Sequence, residues 1–224
     1  MSKQQTKTTK AQKERAATIV GLLKERYPSA ECALQYEGEP WRLLVMGRLS
    51  AQCTDARVNI VCEELFARFP TARALAAAPI DEIESIVRPC GLFRTKAAEI
   101  KAACAMLMDE YGGVLPDEMD ELLKFPGVGR KIANLLLGDI YKKPAIVADT
   151  HCIRISGRLG FVPSDCKDPV KVERALVPLI APEEQSDFCH RIVWFGREVC
   201  TARAPKCEAC PLRSLCAQRA EAKK

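Results

Sequence analysis

Leu123-Lys124-Phe125-Pro126-Gly127-Val128-Gly129-Arg130-Lys131-Ile132-Ala133-Asn134 is the stretch that decides how this chain folds. The acidic residues just before it, Asp117, Glu118, Asp120 and Glu121, suit a helix N-terminus, where negative charge meets the positive end of the helix dipole. That short helix breaks at Phe125-Pro126-Gly127, and a second begins near Gly129. Two glycines flanking one apolar residue let the backbone turn tightly, with positive φ where needed. The turn opens directly into a helix whose first N–H groups have no partner in the helical ladder, so they and the dipole offer a seat for a phosphate oxygen. Val128 plugs the groove between the two helices.

This is the helix-hairpin-helix pattern, which grips a nucleic-acid backbone without reading sequence. A Gly-x-Gly turn alone is common between packed helices. The apolar stripes on both sides, with Arg130 and Lys131 just after the turn, favour the backbone-gripping reading.

Outward from the hairpin the periodicity is helical almost everywhere. Ile19, Leu22 and Leu23 form a stripe that stops at Tyr27-Pro28. Trp41 to Ala51 reads as a mostly apolar helix. Val58, Val61, Cys62, Leu65, Phe66 and Phe69 follow helical spacing, with Thr54 or Asp55 as cap and Pro70 as stop. Short helices are expected at 72–77 and 81–87. Ile100, Ala103, Cys104, Leu107 and Tyr111 make another stripe, closed by Gly112-Gly113. Further helices are expected at 150–159, at 169–179 behind Asp168 and Pro169, and at 187–199. The best strand candidate, Ala145–Ala148, is short. The class is all-α, with about ten helices on this periodicity.

Composition narrows the rest. The chain has 224 residues, 48% of them hydrophobic, and a formal net charge of +5. That is enough to bury a core without disulfide staples. The two histidines, His151 and His190, exclude His-rich metal sites and leave little room for Ser-His-Asp catalysis. Basic residues gather at the ends: Lys3, Lys7, Lys10, Lys13 and Arg15 on one side, and Arg203, Lys206, Arg213, Arg219, Lys223 and Lys224 on the other. No apolar leader opens the chain, and no run of about eighteen apolar residues suggests a membrane span. A reducing compartment, the cytoplasm, is expected. The twelve cysteines are then not a disulfide framework. Cys32, Cys53, Cys62, Cys90, Cys104, Cys152, Cys166 and Cys189 read as small core residues. Cys200, Cys207, Cys210 and Cys216 crowd into one loop, a four-thiolate set for zinc or an iron–sulfur cluster.

The string LKFPGVGRKIAN, then Val147-Ala148-Asp149-Thr150-His151, then the four clustered cysteines, together resemble the endonuclease III family of DNA glycosylases with abasic-site lyase activity. Ser50-Ala51-Gln52-Cys53-Thr54-Asp55 resembles an early motif of that family, and Gly91-Leu92-Phe93 its middle loop. The likeness runs over roughly residues 20–217, with every landmark in order.

The resemblance implies roles. Lys131 stands at the catalytic lysine. An amine can displace a damaged base and form a Schiff base with the opened sugar, which eases β-elimination. A helix N-terminus, the neighbouring Arg130 and cover by bound DNA would each favour its neutral form. Asp149 stands at the essential aspartate, which stabilises charge as the base leaves and relays protons. Aspartate before Thr150 is also a good helix cap, and both roles are compatible. Gln52 and Leu92 match the polar plug and apolar wedge that enter the duplex. DNA contacts are also implied for Gly127, Val128, Gly129, Arg130, His151, Arg203 and Lys206. The four cysteines would hold a [4Fe–4S] cluster with a structural role.

The implied architecture is two helical lobes with a DNA-binding cleft: one lobe over 32–146, the other joining 1–31 to 147–224, with Lys131 and Asp149 facing each other. The implied partner is duplex DNA carrying oxidised pyrimidines or abasic sites, bound by a monomer in the cytoplasm, at the nucleoid if the host is bacterial. Two other readings stay open. A monofunctional adenine-mispair glycosylase would share the hairpin and cluster, but generally lacks the lysine and carries a further C-terminal domain. A non-catalytic, metal-stabilised DNA-binding module would have no need of Lys131 and Asp149 together. Gly47 and Arg48 depart from the family pattern, where apolar residues are usual, and Cys53 and Ile132 are milder variations.

Overall fold

A computed structural model describes residues 8–221; Lys3, Lys7, Lys223 and Lys224 of the basic ends lie outside the described residues. Among the described residues the chain is helical, without a strand. In chain order the helices are α1 (Lys10–Arg26), α2 (Pro40–Leu49), α3 (Asp55–Arg68), α4 (Ala72–Ala77), α5 (Ile80–Val87), α6 (Phe93–Asp109), α7 (Met119–Leu122), α8 (Arg130–Asp139), α9 (Thr150–Leu159), α10 (Pro169–Leu176), α11 (Gln185–Glu198) and α12 (Ala217–Glu221). Short 3-10 turns occupy Arg88–Cys90, Pro182–Glu184, Cys207–Ala209 and Arg213–Leu215.

Capping explains where several helices start. Thr9 and Gln12 form a reciprocal capping box ahead of α1. The Thr54 hydroxyl accepts from Arg57 N at the start of α3. Asp168 accepts from Val170 N and Lys171 N, with Pro169 at the first position of α10. That helix stops at Leu176 rather than running to 179, because Leu179 N and Ile180 N both bond back to Leu176 O in a tight turn. The apolar run beginning at Trp41 stays helical only to Leu49, and Ser50 to Cys53 form a turn. Ala145–Ala148 is irregular backbone, although Ala145, Ile146 and Ala148 are buried.

The chain divides into two compact units, Cys32–Lys142 and Met1–Glu31 with Lys143–Lys224. In the first, α2 packs on α3, α6 and α8, and α6 also packs on α4 and α5. Leu43, Leu44, Val45, Met46 and Leu49 of α2 are essentially inaccessible, as are Leu65, Ile100, Cys104, Leu107 and Leu136 around them. Each such side chain contributes about 1.5–3 kcal/mol through burial. In the second unit α11 packs on α1 and α9, and α9 on α10 and α12. Its core gathers Ile19, Leu23, Ile155, Leu176, Phe188, Ile192 and Phe195. Ile146 and Ala148 belong to this core, so the boundary falls a little earlier in the chain than 146.

Five of the eight scattered cysteines are buried: Cys62, Cys90, Cys104, Cys152 and Cys189. Cys32, Cys53 and Cys166 are only half-buried, and all three lie on irregular backbone between helices. Burial pushes the Cys104 thiol up to about 12. Burial, then nearby Asp139, does the same for Cys32. Among the described residues no helix is long and apolar enough to cross a membrane.

Candidate functional site

In the Cys32–Lys142 unit the hairpin is anchored from below. Leu122 and Phe125 are buried, and the Phe125 ring lies 5.1 Å from that of Tyr111. Gly127 has φ +75°, the left-handed region that favours glycine. Gly129 does not: at φ −103° and ψ 178° it is ordinary extended backbone and serves as the N-cap of α8. A Cβ at Gly129 would meet nothing within 4 Å, so space stays open at the helix N-terminus. Arg130 and Lys131 are the first two helical residues, and both are exposed. Val128 is buried, and its N–H is spent on Phe125 O at 3.0 Å. It therefore holds the turn rather than offering its side chain to a ligand.

A charged pair lies beneath the turn. Arg48 Nε donates to Glu99 Oε2, and both side chains are largely buried. A Cβ at Gly127 would come within 2.6 Å of Arg48 Cδ and Nε and 3.0 Å of Glu99 Oε2. The departure at Arg48 is thus an internal ion pair on which the Gly127 turn rests.

Gln52 and Leu92 stand at the ends of two neighbouring turns in this unit. Both are exposed, Leu92 by 58%. Both adopt left-handed backbone, φ 55° and φ 50°, which costs a non-glycine residue about 1–2 kcal/mol. Between the turns lies Lys96, with no exposed surface. Its ammonium donates to Leu49 O at 2.8 Å, Ala51 O at 2.7 Å and Cys90 O at 2.7 Å. An ammonium has three protons, so none is left over. Sequence reasoning passed over Lys96; the signal was a lysine one turn before Ile100, on the apolar stripe of α6.

In the other unit Asp149 is the N-cap of α9, and its Oδ1 accepts from Cys152 N at 2.7 Å. Among the described residues that is the carboxylate's hydrogen bond, and Oδ2 is not engaged. His151 Nδ1 accepts from Arg154 Nη2 at 3.2 Å. Gly196 of α11 leaves the space that this imidazole fills. Farther along α9, Arg154 Nη2 donates to Cys200 O at 3.0 Å, and Arg158 donates to Thr201 O at 2.7 Å and Ala202 O at 2.9 Å. One helix therefore carries Asp149 at its start and fastens the cysteine loop with its arginines. Neither arginine had been singled out from the sequence, although the two stand four apart on one helix face.

Cys200, Cys207, Cys210 and Cys216 line one cavity with Val199, Pro205 and Arg158. Arg158 Nη1 reaches Cys200 Sγ at 3.2 Å. Burial raises the Cys210 thiol, a cost that thiolate coordination reverses. Among the described residues no three His, Cys, Asp or Glu side chains gather as one metal ion requires. A single zinc needs its sulfurs at about 2.3 Å from one centre. An iron–sulfur cluster spreads its thiolates over several irons, and a shared cavity ringed by four cysteines fits that donor set. Arg203 and Lys206 are exposed on the same loop.

The comparisons agree with this arrangement. Residues 45–182 match the family model of the HhH-GPD superfamily base excision DNA repair proteins, and residues 200–216 match the iron–sulfur binding domain of endonuclease III. Fold and site thus define a base-excision DNA repair protein of the helix-hairpin-helix class. Endonuclease III of Synechocystis sp. is 44% identical over 92% of this chain and 93% of its own. That of Bacillus subtilis is 42% identical over 86% and 87%. A solved structure of a trapped endonuclease III–DNA covalent intermediate matches with a TM-score of 0.88 at 41% identity, covering 95% of this chain and 99% of its own. The chain belongs to the endonuclease III family. It is a DNA-binding enzyme, a DNA glycosylase with abasic-site lyase activity, and its cofactor is a [4Fe–4S] cluster.

Proposed function

We propose that this enzyme removes oxidised pyrimidines from duplex DNA and cleaves the strand at the resulting abasic site, with Lys131 as nucleophile and Asp149 as the supporting carboxylate. The observation that carries the reading is the exposed Lys131 at the second position of α8, two residues after Gly129, where the space around the helix N-terminus is open. The damaged nucleotide first leaves the stack, at a cost of about a few kcal/mol. Gln52 and Leu92 fill the space. Gly127, Gly129 and Arg130 of the hairpin, together with His151, Arg203 and Lys206, hold the strand by its backbone; Val128 supports the hairpin from within.

The Lys131 amine attacks C1′. The C1′–N bond breaks, and the base departs with the bonding pair and takes up a proton. The sugar ring then opens, and the C1′–Nζ bond becomes an imine. Loss of a C2′ proton expels the 3′-phosphate. Water hydrolyses the imine and returns the free lysine. The Asp149 carboxylate, with Oδ2 not engaged, stabilises positive charge on the sugar and relays protons. The cysteines Cys200, Cys207, Cys210 and Cys216 hold the cluster, which supplies structure to the loop and no step of this chemistry. The enzyme acts as a monomer in a reducing cytoplasm, at the nucleoid if the host is bacterial.

Borohydride with a duplex carrying an oxidised pyrimidine should trap a covalent protein–DNA adduct. Lys131→Gln should abolish trapping and keep DNA binding. An adduct at wild-type yield from that variant would remove Lys131 from the role.

A further inference from the structure

We propose that Lys96 is a positioning residue that sets the Gln52 turn and the Leu92 turn to each other, so that both side chains are presented to the duplex as one unit. The inference rests on the duplex-entry reading of Gln52 and Leu92 and supplies the part that reading lacks, the means by which two separate turns keep a common register.

Three observations carry it. First, the Lys96 ammonium spans both turns: Leu49 O and Ala51 O lead into Gln52, and Cys90 O leads into Gly91 and Leu92. Second, of the four non-glycine residues with positive φ among the described residues, Gln52 and Leu92 are the two that flank these carbonyls. Strained backbone persists where surrounding structure over-determines it, and here one buried cation does so for both. Third, Lys96 has no exposed surface, so its charge cannot serve solubility or touch a phosphate. Burial lowers the lysine's proton affinity. A desolvated ammonium is tolerated because each proton has a carbonyl. Lys96 also sits on the first turn of α6, and its own N–H bonds to Leu92 O at 3.0 Å.

Two measurements test this. Gly91→Ala disturbs the Leu92 turn alone, because Gly91 has φ +69° while its Cβ would meet nothing within 4 Å. If Lys96 links the turns, amide hydrogen exchange should speed about tenfold at Lys96 and also at Cys53, whose N–H closes the Gln52 turn on Ser50 O. Faster exchange at Lys96 with Cys53 unmoved would overturn the linkage, even if Lys96 variants fail to fold. Lys96→Met, a neutral chain of similar length, should lower kcat for excision from duplex at least tenfold more than it lowers cleavage of an abasic site in a single strand, where no stack is entered. Equal losses on the two substrates, with the exchange result intact, would instead overturn the duplex-entry role of Gln52 and Leu92.

Discussion

Gly47 of α2 and Ile132 of α8 fit each other: a Cβ on Gly47 would lie 3.1 Å from Ile132 Cγ2, with Leu135 Cδ2 at 3.7 Å. The missing side chain on one helix is the seat for a branched one on the other, and the residue before Ile132 is Lys131. Gly47→Val should destabilise the Cys32–Lys142 unit by about 1–3 kcal/mol through overpacking, read from urea unfolding. Adding Ile132→Ala should return at least half of the loss, because the two sites share one space. Strictly additive losses would show that the close fit is not the reason.

Acid should expose a second pair. Glu184 bonds to Lys24 of α1 and to Arg191 of α11, and the Lys24 bond, then that of Arg191, holds its carboxyl below the ordinary range. A carboxylate with a depressed folded pKa adds stability above its unfolded pKa and loses it as pH falls through the folded value. Glu184→Gln should therefore cost up to about 1 kcal/mol near neutrality, because Lys24 is largely exposed and Arg191 keeps Asp187 as a partner. The gap to wild type should close as pH falls below about 4, the unfolded carboxylate range. A gap that stays constant down to acid would show that the charge is not what holds these helices.

Loss of one cluster ligand should act locally. Cys210→Ser, or oxidative removal of the iron, should abolish the visible cluster absorbance and open the loop to trypsin at Arg203, Lys206 and Arg213. Far-UV circular dichroism should change little, because the core of that unit is apolar and lies on α1, α9, α10 and α11. A collapse of helical signal would instead make the cluster a condition of folding.

Salt should separate the loop's charges from the hairpin's. Removing a cation that sits on a DNA phosphate should reduce the slope of log K against log salt by about 1. Arg203→Ala and Lys206→Ala should each do so, uniformly across sequences, while both variants keep borohydride trapping at saturating protein. An unchanged slope would place those side chains away from the backbone of the DNA.

Most helices and their caps were legible because periodicity and capping are local. The α3 stripe, Thr54 and Asp168 with Pro169 all sit where spacing put them. The cysteine loop's 3-10 turns and α12 carry no period and were not visible. The hairpin and the cysteine set declared themselves through unusual composition. What holds them did not. Lys96, Arg154 and Arg158 look like solvated cations in a linear reading, and Arg48 stands out only as a charge at an apolar position, yet each is spent on a partner distant in sequence. A cation on an apolar stripe was the signal, and Lys96 and Arg48 both gave it. The division into two units at Lys142 rests on which core each side chain joins, a property no short window contains.

The Lys96 bonds run to main-chain carbonyls alone, and every residue type has one. These bonds therefore place no demand on the side chains at 49, 51 and 90; what constrains Leu49 and Cys90 is their place in the core. The whole demand on sequence falls on one position, which must supply a long chain ending in three donors. A family of such enzymes could thus vary the linings of both turns, and with them what each accepts, while the spacing between its two probes into the double helix stays constant.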